Sequence, residues 1–218
     1  MAQIAVIGIN SFGYHMARTL ADLGSEVLAI DRDDGVIDEI KAYVTKAVVA
    51  DISDKRVIRD LNLPEMDAVV LSLGNDFEAA VLATLHLKDL GAKEIVAKVV
   101  SEDHARILQI IGVNRIVFPE RDMAIRLAST LHGSNIADYV PLTSDFSIME
   151  MHPTKDMIGK TPIDLEFRKK FHCQIMVIKS SKPDEGTFIP SPVTIISESH
   201  ILILLGKNED LTRLREQM

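Results

Sequence analysis

Short apolar runs alternate with longer amphipathic segments from Ile4 to Phe118, and this alternation restricts the fold more than any other feature of the sequence. Nearly every residue of each run is apolar, as in strands that helices cover on both faces. The predicted strands are residues 4–8, 27–31, 47–50, 68–73, 95–99 and 115–118. The predicted helices between them are residues 13–23, 35–43, 55–61, 76–90 and 102–111. This order predicts an α/β, Rossmann-like domain with a parallel sheet of six strands and right-handed crossovers.

The pattern changes beyond residue 120. A helix is expected over residues 121–137, with Met123 and Leu131 among its apolar residues. The rest of the chain predicts a smaller α+β module, with strands at 147–151, 174–179 and 200–206 and helices at 162–171 and 208–215. We therefore place the domain boundary after residue 137. Residues 1–137 would form the N-terminal domain including the crossover helix, and residues 138–218 the C-terminal domain.

Charge and composition exclude several classes of partner. The chain has 24 basic and 32 acidic residues and a net charge of −8, so a nucleic acid or an anionic membrane surface would repel it. Its one cysteine, Cys173, allows no intrachain disulfide. No apolar run approaches the roughly 18 residues that cross a bilayer, and the N-terminus lacks the basic start of a signal peptide. We expect a cytoplasmic protein that neither binds nucleic acid nor inserts into a membrane.

The strongest chemical signal is the loop that follows the first predicted strand. Residues 8–13 read Gly-Ile-Asn-Ser-Phe-Gly, which matches the dinucleotide fingerprint G-x-G-x-x-G at Gly8 and Gly13. The loop opens a helix, whose N-terminal amides favour a phosphate. Asn10 replaces the middle glycine: it tolerates a left-handed backbone better than other side chains do, but its side chain occupies the space that a pyrophosphate would approach. With Ser11 and Phe12, these residues form the predicted phosphate-binding loop.

An acidic residue ends the second predicted strand at the position where dinucleotide sites bind ribose. Asp31 lies about 20 residues beyond the loop and is expected to accept the ribose hydroxyls, with Arg32 beside it. A carboxylate there disfavours the 2′-phosphate of NADP. Ligands of such sheets bind over the carboxyl ends of the strands. The other polar or flexible residues at these ends are Asp51, Gly74, Asn75, Lys98 and Glu120.

Several motifs together resemble one family. They are G-x-x-x-F-G at 8–13, V-L-A-I-D at 27–31, Asp51, S-L-G-N-D at 72–76 and F-P-E-R-D-M at 118–123. With the crossover helix and the small module, they resemble the Trk/Ktr potassium-uptake regulatory subunits, which are RCK (KTN) domain proteins. The resemblance runs from Ile4 to about Leu214.

This resemblance implies a regulator and not an enzyme: a homo-oligomeric, octameric ring at the inner face of the cell membrane that gates a potassium translocator. Its N-domain would bind ATP or ADP, or NAD(H), and the matching positions add Ile52, Leu73 and His104 to the predicted nucleotide site. Glu120 would help to hold Mg²⁺ or Ca²⁺ between the phosphates of paired subunits. Ser11 stands where many members have an arginine on the γ-phosphate, so AMP, ADP and NAD remain alternatives to ATP.

The C-terminal domain is implied to carry a second ligand site. Some members bind cyclic di-AMP there at a dimer interface, and the analogous residues are Ile163, Asp164, Arg168 and Pro192. One rival interpretation stays open for the N-domain, an NAD-dependent oxidoreductase with a degenerate loop. It predicts a base near Lys98 or His104. The sequence has no HExxH, no G-x-S-x-G and no P-loop lysine to support catalysis.

Overall fold

The computed structural model describes residues 1–132, 136–180, 182 and 186–216. The chain divides into two compact units, Met1–Glu120 and Arg121–Met218. The predicted boundary after residue 137 falls within a strand of the second unit. No helix among the described residues is both long and apolar enough to cross a membrane.

The first unit alternates strands and helices in the predicted order. Its strands are β1 (Gln3–Ile7), β2 (Glu26–Asp31), β3 (Lys46–Val49), β4 (Ala68–Leu71), β5 (Ile95–Lys98) and β6 (Arg115–Val117). Its helices are α1 (Ser11–Asp22), α2 (Asp34–Ile40), α3 (Lys55–Asp60), α4 (Phe77–Asp89) and α5 (Glu102–Ile111), with a short 3₁₀ turn at Leu63–Glu65. The predicted α/β class and six-stranded sheet are confirmed.

All six strands are parallel, in the order β3-β2-β1-β4-β5-β6. Successive residues of β1 belong to different cores: Ala5 and Ile7 pack in one cluster, and Val6 packs in another. Both faces of the strand are therefore covered, which explains why its sequence is apolar throughout. β1 lies between β2 and β4, so the strand order reverses there and leaves a crevice at the carboxyl ends of the strands.

The second unit contains an antiparallel sheet in the order β10-β9-β11-β8-β7. Its strands are β7 (Ile136–Pro141), β8 (Phe146–Met151), β9 (Gln174–Ser180), β10 (Thr187–Phe188) and β11 (His200–Lys207), and its short helices are α7 (Phe167–Phe171) and α8 (Asn208–Glu216). Its core includes Met149, Phe167, Ile178 and Leu204. Helix α6 (Pro119–His132) begins in the last two residues of the first unit and continues into the second.

Two sequence-based helix boundaries are corrected. The helix predicted over 121–137 is helical as far as His132, and residues 136 and 137 lie in β7, where Asp138, Tyr139 and Val140 pair with β8. The helix predicted over 162–171 is α-helical only from Phe167, because Glu166 takes a left-handed backbone with φ of 46°. In both cases the apolar spacing suited a helix, but strand pairing or a local backbone reversal determined the structure.

Candidate functional site

A crevice of about 210 Å³ opens at the carboxyl ends of β1, β2 and β4. It is lined by Ile7, Gly8, Asn10, Ile30, Asp31, Arg32, Ala50, Ile52, Ser72, Leu73 and Ala79. Six of the predicted nucleotide-binding residues are therefore together: Gly8, Asn10, Asp31, Arg32, Ile52 and Leu73. Ala79 and Ser72 were not predicted to contribute; Ala79 approaches from the first turn of α4.

Two positions of the loop exclude any side chain. Gly8 has φ of +85°, and a Cβ built on it would lie 2.2 Å from the carbonyl oxygen of Ser72. A Cβ on Gly13 would lie 1.9 Å from the carbonyl oxygen of Gly8. These distances require glycine at the first and third positions of the fingerprint, for the tight turn and for close packing of α1 on β1.

Asn10 differs from the expectation. Its backbone is extended, with φ of −66° and ψ of −179°, and not left-handed. Its Oδ1 accepts the Gly13 amide at 3.3 Å and the Ser72 hydroxyl at 2.9 Å, while its Nδ2 donates to the Ser72 carbonyl. The asparagine is thus the N-cap of α1 and a clamp onto the end of β4, where Ser72 is fully buried. Among the described residues no acceptor is found for the amides of Ser11 and Phe12, which open α1.

Asp31 supports the same loop. One carboxylate oxygen accepts the Ile9 amide at 2.6 Å and the other accepts the Asp33 amide at 3.0 Å. Each carboxylate oxygen has a further lone pair, so the group can still accept a hydroxyl from a ligand. The residue predicted to bind ribose therefore also holds the phosphate loop in place.

Arg32 lies among carboxylates at the rim. Its guanidinium pairs with Asp76 and lies 4.0 Å from Asp51. The hydrogen bond to Asp76 raises the pKa of Arg32. The Ser53 hydroxyl and amide, at 2.7 and 3.0 Å, lower the pKa of Asp51. The Ala79 amide, 3.0 Å from the Asp76 carboxylate, is the main cause of a lowered Asp76 pKa, and Arg32 adds to it.

Asp76 was not among the predicted site residues. Its sequence signal is its place directly before α4, where an aspartate is a favoured N-cap. A cap is normally satisfied by its own helix, so nothing in the sequence showed that the side chain also reaches Arg32. Gly74 has φ of +61° and turns the chain between β4 and this cap. Asn75 separates Gly74 from Asp76.

Three further predicted residues lie outside the crevice: Lys98 and Glu120 meet at the end of β5, and His104 belongs to α5. The Lys98 side chain is only 9% exposed, pairs with the Glu120 carboxylate and has its ammonium 5.6 Å from the Phe12 ring centroid. This pairing lowers the pKa of Glu120. His104 stacks flat on Phe77, with ring centroids 3.8 Å apart. Neither Lys98 nor His104 lines the crevice.

The divalent cation implied for Glu120 was compared with the donors that this chain provides. Among the described residues no group of three or more histidine, cysteine, aspartate or glutamate side chains is arranged to hold a metal ion. Mg²⁺ and Ca²⁺ take six or more oxygen ligands. Glu120 provides one carboxylate, which already forms an ion pair with Lys98. The described residues of one chain do not by themselves fit the cation, so its binding at Glu120 stays a prediction that needs phosphate or partner oxygens.

The second unit has a pocket of its own, of about 430 Å³. It is lined by Pro162, Ile163, Glu166, Phe167, Arg168, Lys169, Cys173, Gln174, Ile175, Pro190, Ser191 and Pro192. Three of the four residues predicted for a second ligand are present. The fourth, Asp164, is not in the lining. Its carboxylate accepts hydrogen bonds from the Thr161 amide at 3.0 Å and the Thr161 hydroxyl at 2.7 Å. The bond from the hydroxyl is the main cause of a lowered Asp164 pKa.

The fold and the crevice together define a Rossmann-like α/β domain followed by a smaller α+β domain. The chain belongs to the TrkA family: the TrkA-N domain matches residues 4–119 and the TrkA-C domain matches residues 146–218. The resemblance to Trk/Ktr proteins is thereby confirmed.

Relatives match along the whole chain. Ktr system potassium uptake protein C of Bacillus subtilis (strain 168) is 34% identical over 99% of this chain and 97% of its own. Ktr system potassium uptake protein A of the same organism is 32% identical over 99% and 96%. Among solved structures, the GsuK RCK domain has a TM-score of 0.69 at 18% identity, covering 99% of this chain and 47% of that one. The GsuK channel bound to NAD has a TM-score of 0.68 at 18% identity, covering 98% of this chain and 38% of that one, and shares the fold.

Proposed function

We propose that this protein is a cytoplasmic regulatory subunit of a potassium-uptake system that binds an adenine nucleotide in the crevice of its first unit. The observation that carries the proposal is that Gly8 and Asp31 line one crevice at the strand reversal, in a chain that aligns end to end with Ktr potassium uptake proteins. In this proposal, nucleotide binding changes the conformation of an oligomeric ring, and the ring controls a membrane potassium translocator.

Each part of an adenine nucleotide has a counterpart in or beside the crevice. The ribose hydroxyls would donate to Asp31, and the phosphates would meet the Ser11 and Phe12 amides at the N-terminus of α1. The apolar walls of Ile52 and Leu73 would take the base. Lys98 is paired with Glu120 and does not line the crevice, but its ammonium lies beside Phe12, so its positive charge would act on the phosphates from a distance. This division of roles follows from where each residue lies along the carboxyl edge of the sheet.

The choice of nucleotide depends on the phosphate end. Ser11 brings no charge to the loop, so the amides and Lys98 would carry the phosphates without an arginine in the loop. ATP and ADP remain the first candidates, with AMP and NAD(H) as alternatives. NAD fits the same pattern of Asp31 and loop, and a fold neighbour of this chain is a channel bound to NAD.

The oxidoreductase alternative is less well supported. It required a base near Lys98 or His104, but Lys98 is paired with Glu120 and His104 is stacked on Phe77. Neither side chain lines the crevice. A binding and regulatory role therefore accounts for the geometry better than catalysis does.

Assembly into a homo-oligomeric ring, proposed as an octamer, would use the exposed apolar face of α6. Met123, Leu127 and Leu131 are spaced four residues apart, so they lie along one side of the helix, and each is more than half exposed. An apolar stripe of this kind is typical of an interface. The ring would lie at the inner face of the membrane through its translocator partner.

In the second unit we propose that the pocket binds cyclic di-AMP. Ile163, Arg168 and Pro192 line it together, and its volume lies within the range of about 300–1,000 Å³ that is usual for small-molecule sites. Arg168 and Lys169 supply positive charge for phosphates, and Pro162 and Phe167 supply apolar surface.

Calorimetric titration of the full chain with ATP, ADP, AMP, NAD and NADH tests the nucleotide site. The matched variant is Asp31→Asn, which keeps an acceptor for the Ile9 amide but loses the charge. We expect it to weaken binding by about ten- to a hundredfold, because hydrogen bonds to a charged group contribute more than neutral ones. Failure of the unaltered protein to bind any of the five at millimolar concentration would contradict the proposal.

Light scattering after gel filtration tests the ring. Leu131→Asp should dissociate it, whereas Leu23→Asp, at an equally exposed leucine at the C-cap of α1, should not. A chain that is monomeric at micromolar concentration, with or without nucleotide, would rule out the assembly.

A further inference from the structure

The rim of the crevice contains an ion pair that spans it. Arg32 follows directly after β2, and Asp76 is the cap that follows β4. These two strands pair with opposite edges of β1. The contact between Arg32 and Asp76 therefore crosses the carboxyl end of β1, where the strand order reverses.

The crevice is small for a ligand site. It encloses about 210 Å³, below the range of about 300–1,000 Å³ that is usual for small-molecule sites. Arg32 is one of its walls, and Asp76 holds that wall in position. The ribose acid Asp31 and the phosphate loop are already held by hydrogen bonds within the chain. The end of the crevice nearest Arg32 is thus the part that must widen for a nucleotide.

We propose that Arg32 determines ligand specificity at this site: an adenine base displaces Asp76 as the partner of Arg32, because it offers the guanidinium an aromatic face. This inference rests on the proposed nucleotide-binding function. Nucleotides with an adenine base would open the crevice, and phosphates or sugar phosphates without a base would not.

The energetics of this exchange are nearly balanced. The side chains of Arg32 and Asp76 are 55% and 35% exposed, and exposed ion pairs contribute little to stability. An arginine on an aromatic face is favourable to a similar degree and more so when water is excluded. A base can therefore compensate for the broken pair, whereas a ligand without an aromatic face cannot.

The surrounding charges define the ligand further. Asp31, Asp51 and Asp76 all act on Arg32 electrostatically. When Arg32 turns to a base, these three carboxylates face the ribose end of the site. An unmodified ribose is compatible with that acidic rim, and a phosphate on its 2′ position is not.

Calorimetry with ADP on the full chain tests the inference, using Asp76→Asn, Arg32→Gln, the double variant and a control, Asp89→Asn. Asparagine at 76 keeps the helix cap but loses the ion pair. The control removes an exposed ion pair of α4, with Lys55 at 2.7 Å, that lies outside the crevice.

We expect Asp76→Asn to bind ADP about two- to fivefold more tightly, the fold-change equivalent to an exposed ion pair. Arg32→Gln should bind ADP more weakly than Asp76→Asn, although both lose the pair, and the double variant should match Arg32→Gln. Asp89→Asn should behave as the unaltered protein. Arg32→Lys should also bind more weakly than Asp76→Asn, because an ammonium stacks poorly on a base.

Two failures are distinguishable. If all variants bind ADP with the affinity of the unaltered protein, the role of Arg32 is overturned while the proposed function stands. If none of the proteins binds ADP or NAD, the proposed function fails, and this inference fails with it.

Discussion

The crevice of the first unit and the pocket of the second unit are built in different ways. Besides its apolar walls, the crevice depends on backbone turns, with glycines that permit no substitution and an aspartate that anchors the loop. The pocket combines exposed charged side chains with apolar ones that also belong to the core, such as Phe167 and Cys173. The crevice should therefore be most sensitive to an added atom at its glycines, and the pocket to the removal of atoms from its core side chains.

The largest effect is expected from shortening the wall of the pocket. Phe167 is 3% exposed, and Phe167→Ala should destabilise the second unit by about 3–5 kcal/mol, because it leaves a cavity in the core. Hydrogen exchange should become faster in β9 and β11 while β1 and β4 keep their protection. Equal loss of protection in both units would show that the pocket and the crevice do not belong to separate stabilising units.

A smaller loss is expected when one atom is added to the crevice. Gly8→Ala should destabilise the first unit by about 2–3 kcal/mol and abolish nucleotide binding, because the new Cβ meets the Ser72 carbonyl. Gly24→Ala is the matched control: its φ is +88°, but nothing lies within 4 Å of the added atom. It should cost only about 1 kcal/mol of left-handed strain. Chemical unfolding measures both, and equal effects would disprove the close contact.

The pH dependence of the second unit should depend on its cysteine. Burial raises the pKa of the Cys173 thiol to about 11 from an ordinary value near 9. Between these pH values the thiol stays neutral in the folded protein but ionises in the unfolded chain. The free energy of unfolding therefore keeps its full contribution from Cys173 below about pH 9 and loses it as the pH rises toward 11. Urea unfolding between pH 8 and 11 measures the slope. Cys173→Ser should flatten it, and an unchanged slope would assign it to other groups.

The smallest effect on stability is expected from an exposed charge at the pocket. Arg168→Gln should change the free energy of unfolding by less than about 0.5 kcal/mol, as is usual for surface substitutions. If the pocket binds cyclic di-AMP, the same change should weaken that binding, whereas Lys155→Gln, an exposed charge outside the pocket, should not. Equal binding by both variants would remove Arg168 from the site.

Sequence reasoning was most successful where a residue's role is local. The apolar runs predicted β1 to β6 because strands covered on both faces require apolar side chains throughout. Gly8 and Asp31 were identified because the loop and the strand end have a set spacing. The missed features involve residues distant in sequence. Arg32, which follows β2, pairs with Asp76 at the start of α4. Asn10, which follows β1, accepts a hydrogen bond from Ser72, which follows β4.

The α/β class and the position of the glycine loop could be predicted from the order of residues, because hydrophobic periodicity and glycine spacing act over a few neighbouring residues. The family followed from the resemblance of several motifs to Trk/Ktr proteins. Tertiary contacts gave Asn10 its extended backbone at the helix cap, placed the start of a strand at residue 136 and paired Arg32 with Asp76 at the rim of the crevice. Each of these depends on a partner that only folding brings near. Local propensity allows several answers at such positions, and the contact that forms selects one of them.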